Sequence, residues 1–478
     1  MQYEAVIGLE VHVQLNTESK IFCGCSTKFG ALPNSQTCPS CQGHPGILPV
    51  LNEEVLRKGI LAGLALNCKV SNYSRFNRKN YFYPDLPNAY QISQYDKPIC
   101  IDGFLEITTP DGPKRVRINR LHLEEDAGKL IHEPNSAVSY IDLNRAGTPL
   151  AEIVSEPDMR NGDEACDYLQ NLKSIMKYIG ASDVNMEEGS LRCDVNISVR
   201  EKGDSKLGKR VEVKNLNSFK AVKAAVNYEF SRQKELIEDG EKDSIIQETR
   251  LWNADKNETF SMRSKESAND YRYFPDPDLP PAILSDEYID SIRKTLPELP
   301  KEKMARFESE YGLSAYDAGV LTSVKELADY FEETVKHGAP ARKASNWIQS
   351  ELLAILDDPE NIGSFKVTSG MLAELINLIE DGTISGKIAK TLFADMSETG
   401  KSPGDIVKEK GLVQVSDSSA IEAVINEVIS ANPQSVKDFK DGKEKAMGFL
   451  IGQIMKASGG KANPQIVNKL LKEKLDKL

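Results

Sequence analysis

The clearest pattern in the chain is a strict alternation over residues 7–15. Ile7, Leu9, Val11, Val13 and Leu15 fall on one side, and Gly8, Glu10, His12 and Gln14 on the other. A period of two is that of a strand with one buried face. The alternation returns over 117–125, where Arg120, His122 and Glu124 share a side. It returns again over 191–199, where Arg192, Asp194, Asn196 and Ser198 oppose Leu191, Cys193, Val195, Ile197 and Val199. A shorter piece over 210–215 sets Glu212 and Lys214 against Val211 and Val213, and 139–143 is a further short strand. Between these, residues 53–66, 163–178 and 218–239 switch to a helical period.

The prolines at 275, 277, 280 and 281 close this mixed region. From about residue 287 the pattern is helical throughout. Helices are expected at 302–311, 315–337, 341–354 and 372–380, with a turn or linker at 357–363, and then at 385–396, 418–431, 442–458 and 464–475. Gly448 and Gly452, four apart, admit close approach of a packed helix or of an RNA backbone. The expected architecture is α+β, an antiparallel sheet region followed by all-α domains.

Composition adds bounds. At 478 residues, 40% hydrophobic and 28% charged, the chain has the make-up of a multidomain globular protein. No apolar run is long enough to span a bilayer, and the first residues lack the pattern of a signal peptide, so a cytoplasmic location is expected. The eight cysteines are then thiols or metal ligands rather than disulfides. A net charge of −12 argues against nonspecific nucleic-acid binding. Yet residues 435–478 hold ten lysines against five acids, which suits an anionic partner docking at that end.

Cys23 and Cys25 precede Cys38 and Cys41 by a twelve-residue spacer. Two close pairs suit a tetrahedral zinc site with no open position, hence structural; the alternative is a set of reduced thiols. Residues 78–85 set Arg78 and Lys79 beside Tyr81, Phe82 and Tyr83, a group able either to stack a base and hold a phosphate or to form a core edge. Glu124, Glu125 and Asp126 are consecutive, a pattern tolerated by a solvated turn or by a divalent cation. Three strands whose outer faces mix acids, imidazole and cations resemble the floor of a polar cleft more than one solvated face. A P-loop, a dinucleotide-binding glycine motif and a Gly-x-Ser-x-Gly elbow are all missing.

Residues 7–15, the four cysteines, and residues 78–85, 123–129, 190–198, 211–218 and 270–277 together resemble the GatB/GatE family of tRNA-dependent amidotransferase subunits. The resemblance spans nearly the whole chain. It implies a catalytic cradle over 1–290, like glutamine synthetase and guanido kinases, with a zinc-binding insertion near 23–41. It implies a helical domain over 291–368 and a YqeY-like, tRNA-binding tail over 369–478. It implies ATP, Mg2+ and a structural Zn2+, an amidase-fold A subunit, a small C subunit and a mischarged tRNA as partners in a heterotrimer. Carried onto this sequence, Glu10, His12, Glu124 and Glu125 are magnesium candidates. Lys79, Arg192 and Lys214 are phosphate-side cations, with Tyr81 and Tyr83 beside the nucleotide. Asp194, Asn196 and Glu212 complete the cleft. Lys437, Lys440, Lys443, Lys445, Lys456 and Lys461 face tRNA phosphates. Two other readings compete: a freestanding metal-dependent kinase or ligase of a small acid, and a zinc-ribbon tRNA adaptor without catalysis.

Overall fold

The computed structural model describes residues 2–133, 137–264, 270–412, 418–440, 443–458, 462 and 464–476. Two compact units divide the chain, 1–300 and 301–478.

The first unit is built on a nine-stranded sheet. Its strands are β1 (Tyr3–Gln14), β2 (Lys69–Val70), β3 (Cys100–Thr109), β4 (Gly112–Glu125), β5 (Pro149–Ser155), β6 (Leu191–Glu201), β7 (Val211–Leu216), β8 (Glu248–Asn253) and β9 (Glu258–Ser264). Across the sheet they run β9-β8-β7-β6-β1-β5-β4-β3-β2. Every neighbouring pair is antiparallel except β7 and β8. The alternating strand at 7–15 is therefore the centre of the sheet, paired along its length with β5 and β6.

Its apolar side packs the core. Ile7, Leu9, Val11 and Val13 are at most 1% exposed, and they join Val195, Ile197, Val211 and Val213 in one apolar cluster. Three helices contribute to that cluster: α1 (Glu53–Ala65), α2 (Gly162–Tyr178) and α3 (Phe219–Glu238). Each starts at a side-chain cap. Asn52 accepts from Glu54 N–H, Asn161 from Glu164 N–H and Ser218 from Ala221 N–H, each worth about 1 kcal/mol. The α1–β3 contact is close enough to require glycine: a Cβ at Gly63 would lie 2.2 Å from Cys100 Sγ. A smaller three-stranded sheet of Asn77–Asn80, Tyr90–Ser93 and Phe274–Pro275 stands beside the large one.

Four strands are not visible as alternations. β5 is buried along almost all its length, so its sequence is a near-continuous apolar run. β8 pairs on both sides at the parallel join and β9 lies at the edge, and in both β-branched residues are few. In β3, Asp102 and Gly103 near the start of the strand interrupt the alternation.

The second unit is helical and holds two separate apolar cores. One gathers residues from Phe307 to Val407, the other from Ile421 to Leu475. The helix expected over 315–337 is two, Ala315–Leu321 and Lys325–Lys336. Thr322 N–H still reaches Ala318 O, but Ser323 turns both its N–H and its Oγ onto Val320 O, the carbonyl that a continuing helix would pair with residue 324. The expected helix at 341–354 is α-helical only over Ala341–Trp347 and then widens into a π-turn over Ile348–Leu352. Among the described residues no helix is long and apolar enough to cross a membrane.

Candidate active site on the polar face of the sheet

The strand registers bring the polar sides together. Arg192, His12, Glu152 and His122 stand in one row across β6, β1, β5 and β4. Asp194 and Glu10 are paired in the next row, and Glu212, Asn196 and Gly8 in the one after. A rigid ladder thus fixes the spacing of the side chains without any loop.

Glu152 is the hub. Its Oε2 lies 3.3 Å from His12 Nε2 and 3.2 Å from His122 Nε2. Glu124 lies 3.8 Å from His12 and 3.5 Å from His122, and accepts a 2.9 Å hydrogen bond from Ser93 Oγ. Burial works against a charged His12 ring, but the hydrogen bond and charge of Glu152, with Glu124 and Glu10 behind, raise it to about 9. His122 is raised to about 9 in the same way, burial being outweighed by the Glu152 charge and by hydrogen bonds to Glu124 and Glu152. Glu152, despite its burial, is held well below the usual carboxylate range by the two rings. Glu10 is pushed up, by burial first and then by Glu152.

The cations are mostly engaged. Arg192 Nη2 donates to Asp126 Oδ2 at 2.6 Å, and Asp126 also accepts from Gln14 Nε2 at 2.9 Å. Lys214 donates to Asp194 and lies 3.5 Å from Glu212. Burial lowers its affinity for a proton, but Asp194 and Glu212 more than reverse this. Lys79 Nζ sits 4.8 Å from the Tyr271 ring centroid and 5.6 Å from that of Tyr81. Burial there is outweighed by Tyr273, Glu124, Tyr81 and Glu152, which keep the ammonium charged.

Three sets of ligand atoms fall within 4.8 Å of one another here: Glu10, His12 and Glu152; His122, Glu124 and Glu152; Glu10, Asp194 and Glu212. Carboxylate oxygens suit a hard divalent cation, so the donor chemistry of Glu10, Asp194 and Glu212 fits magnesium; in the other two sets the imidazole is a softer donor and would have to give up its proton to ligate. The four cysteines form a fourth set. Its thiols already share protons: Cys41 is drawn down to about 4, chiefly by a hydrogen bond from Cys23, while Cys23 is pushed up. Four sulfurs within reach of one another fit a closed zinc centre. The purified chain is expected to carry about one zinc per molecule, and Cys38→Ser to lose it and unfold several degrees earlier; metal analysis and a thermal melt check both.

Glu10, His12, Glu124, Arg192, Asp194, Asn196, Glu212 and Lys214 thus share one face, with Lys79 close to Glu124 and Glu152. Glu125 stands apart from these sets. Its Oε1 accepts from Ile92 N–H at 2.9 Å, and it lines the pocket shared by Cys23, Cys41 and Lys20. Burial first, then Asp276 and Glu124, raise it to about 7. Tyr83 is 51% exposed. Lys437, Lys440, Lys443, Lys445 and Lys456 are exposed, Lys443 beside Asp438 at 3.0 Å, and Lys461 lies outside the described residues. Sequence reasoning gave no role to Glu152, and it read Asp126 only as one of three consecutive carboxylates, not as the partner of Arg192. The signal for Glu152 is its place as the one charge inside the apolar run from Leu150 to Val154.

Acids, imidazoles and ammonium groups crowded onto one buried sheet face define a catalytic protein rather than a scaffold. Residues 5–290 match the GatB/GatE catalytic domain and residues 329–475 the GatB domain. Full-length relatives agree. The B subunit of the aspartyl/glutamyl-tRNA(Asn/Gln) amidotransferase of Geobacter sulfurreducens is 56% identical over 99% of this chain and all of its own. Relatives of the same name are 55% identical in Carboxydothermus hydrogenoformans and 54% in Caldicellulosiruptor saccharolyticus, each over the whole of both chains. The chain belongs to the GatB/GatE family, and its first unit is that family's catalytic domain.

Proposed function

We propose that the chain is the B subunit of a tRNA-dependent amidotransferase, and that it converts mischarged Glu-tRNA(Gln) or Asp-tRNA(Asn) to Gln-tRNA(Gln) or Asn-tRNA(Asn). The observation that carries this reading is the joining of Glu10, His12, Glu152, Asp194, Glu212 and Lys214 on one sheet face in a member of this family.

A carboxylate is a poor acceptor for ammonia. ATP transfers its γ-phosphoryl group to the side-chain carboxylate of the aminoacyl group, releasing ADP and leaving an acyl phosphate. Ammonia then attacks the acyl carbon, the C–O bond to phosphate breaks, and the amide and inorganic phosphate result. Glu10 with Asp194 and Glu212, or with His12 and Glu152, would hold magnesium, which would supply charge neutralisation for the transfer. Lys214 and Lys79 orient the phosphate oxygens, Tyr81 lies beside the nucleotide, and Asn196 holds the aminoacyl group. A carboxylate of the same face takes the proton that attacking ammonia gives up.

An amidase-fold A subunit supplies the ammonia from glutamine, and a small C subunit joins the two. The first unit is then a cradle of the glutamine synthetase and guanido kinase kind. The second unit, with its exposed lysines at 437, 440, 443, 445 and 456, meets tRNA phosphates, contacts that position the substrate and weaken with salt.

The test is ATP hydrolysis by the complex assembled with its partner subunits. Charged tRNA is expected to stimulate it and free glutamate is not. Stimulation by free glutamate alone points to a small-acid ligase, and tRNA binding without hydrolysis to an adaptor. Glu10→Gln is expected to lower hydrolysis about a hundredfold or more while tRNA affinity holds. Normal amidation by that variant removes Glu10 from the metal site.

A further inference from the structure

Of the cations around the polar face, Arg192 and Lys214 have carboxylates against them, and Lys79 is enclosed by tyrosine rings near Glu124 and Glu152. Arg120 differs. It stands on the same face, in the register row that runs from Glu10 through Val154 to Arg120, two residues before His122. Among the described residues it has no carboxylate partner. Its Nη1 donates to Tyr95 O at 3.2 Å, and its Nε is buried without a hydrogen-bond partner.

That orphaned nitrogen has company. Of the four buried side-chain polar atoms without a partner among the described residues, three belong to this face: Arg120 Nε, His122 Nδ1 and Arg192 Nε. His122 is only 3% exposed. Buried donors are almost always satisfied in folded proteins, so three orphans on one face call for acceptors from bound water or from a ligand.

Next to Arg120 lies an aromatic platform. Tyr95 stacks flat on Tyr273, with ring centroids 4.2 Å apart and planes 7° from parallel. Its main chain is fixed at both ends, N–H to Asn77 Oδ1 at 3.1 Å and carbonyl to Arg120. Even so Tyr95 remains 41% exposed. A guanidinium with free donors beside an open tyrosine face suits a group that is anionic at one point and flat and aromatic at another.

We infer that Arg120 and the Tyr95–Tyr273 pair form a nucleotide subsite, the guanidinium taking a phosphate and the rings taking the base, continuous with the carboxylate floor at Glu10 and Glu152. The inference rests on the phosphoryl-transfer reading above and extends it to residues that reading leaves without a role. Two sources carry this chemistry: ATP, and the 3′-terminal nucleotide of the charged tRNA.

Arg120→Met, Arg120→Lys and Tyr95→Leu in the assembled enzyme separate them. Direct ATP binding and the KM for charged tRNA are measured for each. Arg120→Met is expected to weaken one of the two about tenfold or more, with kcat changing less, and Arg120→Lys to recover part of the loss by keeping the charge. Tyr95→Leu is expected to weaken the same ligand. A shift in the ATP arm assigns the subsite to ATP, and a shift in the tRNA arm to the terminal nucleotide. Neither ligand moving, with only kcat or the thermal midpoint falling, reduces Arg120 to a tether for Tyr95 and overturns the inference. Arg120→Met and Tyr95→Leu acting on different ligands overturns it as well. Should Arg120→Met not fold, Tyr95→Leu and Arg120→Lys still decide. If wild-type hydrolysis ignores charged tRNA, the amidotransferase reading fails, but ATP binding by the Arg120 variants still reports on the subsite.

Discussion

Replacing Glu152 by Gln is expected to lower tRNA-dependent ATP hydrolysis about a hundredfold, a loss as large as that expected for Glu10→Gln. The reason is its position. Glu152 belongs to two of the three non-cysteine sets able to hold a cation, and it stands between His12 and His122 at 3.3 and 3.2 Å. Gln keeps the volume and one carbonyl oxygen, so the β5 backbone and the apolar run around it are undisturbed. What vanishes is the charge that both rings and any cation share. Single-turnover formation of the acyl phosphate measures the loss, and a far-UV spectrum shows that the fold survives. Turnover within a few-fold of wild type would remove Glu152 from the chemistry and leave it as a buried counter-charge for the histidines.

Asp126→Asn costs about 3 kcal/mol of stability in the first unit. Asp126 is 4% exposed and receives Arg192 Nη2 at 2.6 Å and Gln14 Nε2 at 2.9 Å, with Arg145 Nε 3.6 Å away. Its main chain also ties two loops, N–H to Thr148 O and carbonyl from Gly147 N–H. Neutralising it leaves the partly exposed Arg192 guanidinium with only the more distant Glu124 and Asp194 to balance it, and takes a charged acceptor away from two part-buried donors. A urea titration followed by Trp252, which is buried in the same core, reads the change. A midpoint equal to wild type would mean that solvent or Glu124 takes over the guanidinium.

Much of this site is written in residues two apart. The apolar side of β1 had to face a core, so the sides of Glu10 and His12 followed from periodicity alone. The same holds for Arg192 and Asp194 on β6 and for Glu212 and Lys214 on β7. Periodicity says nothing about which strands are neighbours. The sequence places residues 7–15 and 191–199 far apart, and only the ladder between them sets Asp194 opposite Glu10. Glu152 was illegible for the opposite reason: a strand buried on both sides has no polar face to announce it, and its single charge resembles an exception in a core segment. Glu125 shows the limit of adjacency. It follows Glu124 in sequence, but a strand sends neighbours to opposite sides, so its carboxylate ends beside Ile92 N–H and the cysteine pocket. In the second unit, the break after Leu321 falls where Ser323 turns its N–H and hydroxyl onto Val320 O, a local competition that a 3.6-residue pattern passes over.

The place of β1 at the middle of the sheet has a consequence for how the protein is made. β1 leaves the ribosome well before its partners, Pro149–Ser155 and Leu191–Glu201. At about 5–20 residues per second, its two edges stay unsatisfied for on the order of ten to forty seconds of synthesis. Through that interval Ile7, Leu9, Val11 and Val13 form an uncovered β-prone segment of the kind that chaperones bind and that aggregates grow from. The polar face of the candidate site and the hazard belong to the same strand, so slowed translation between residues 15 and 190 is expected to lower the yield of active protein before it touches any property of the finished enzyme.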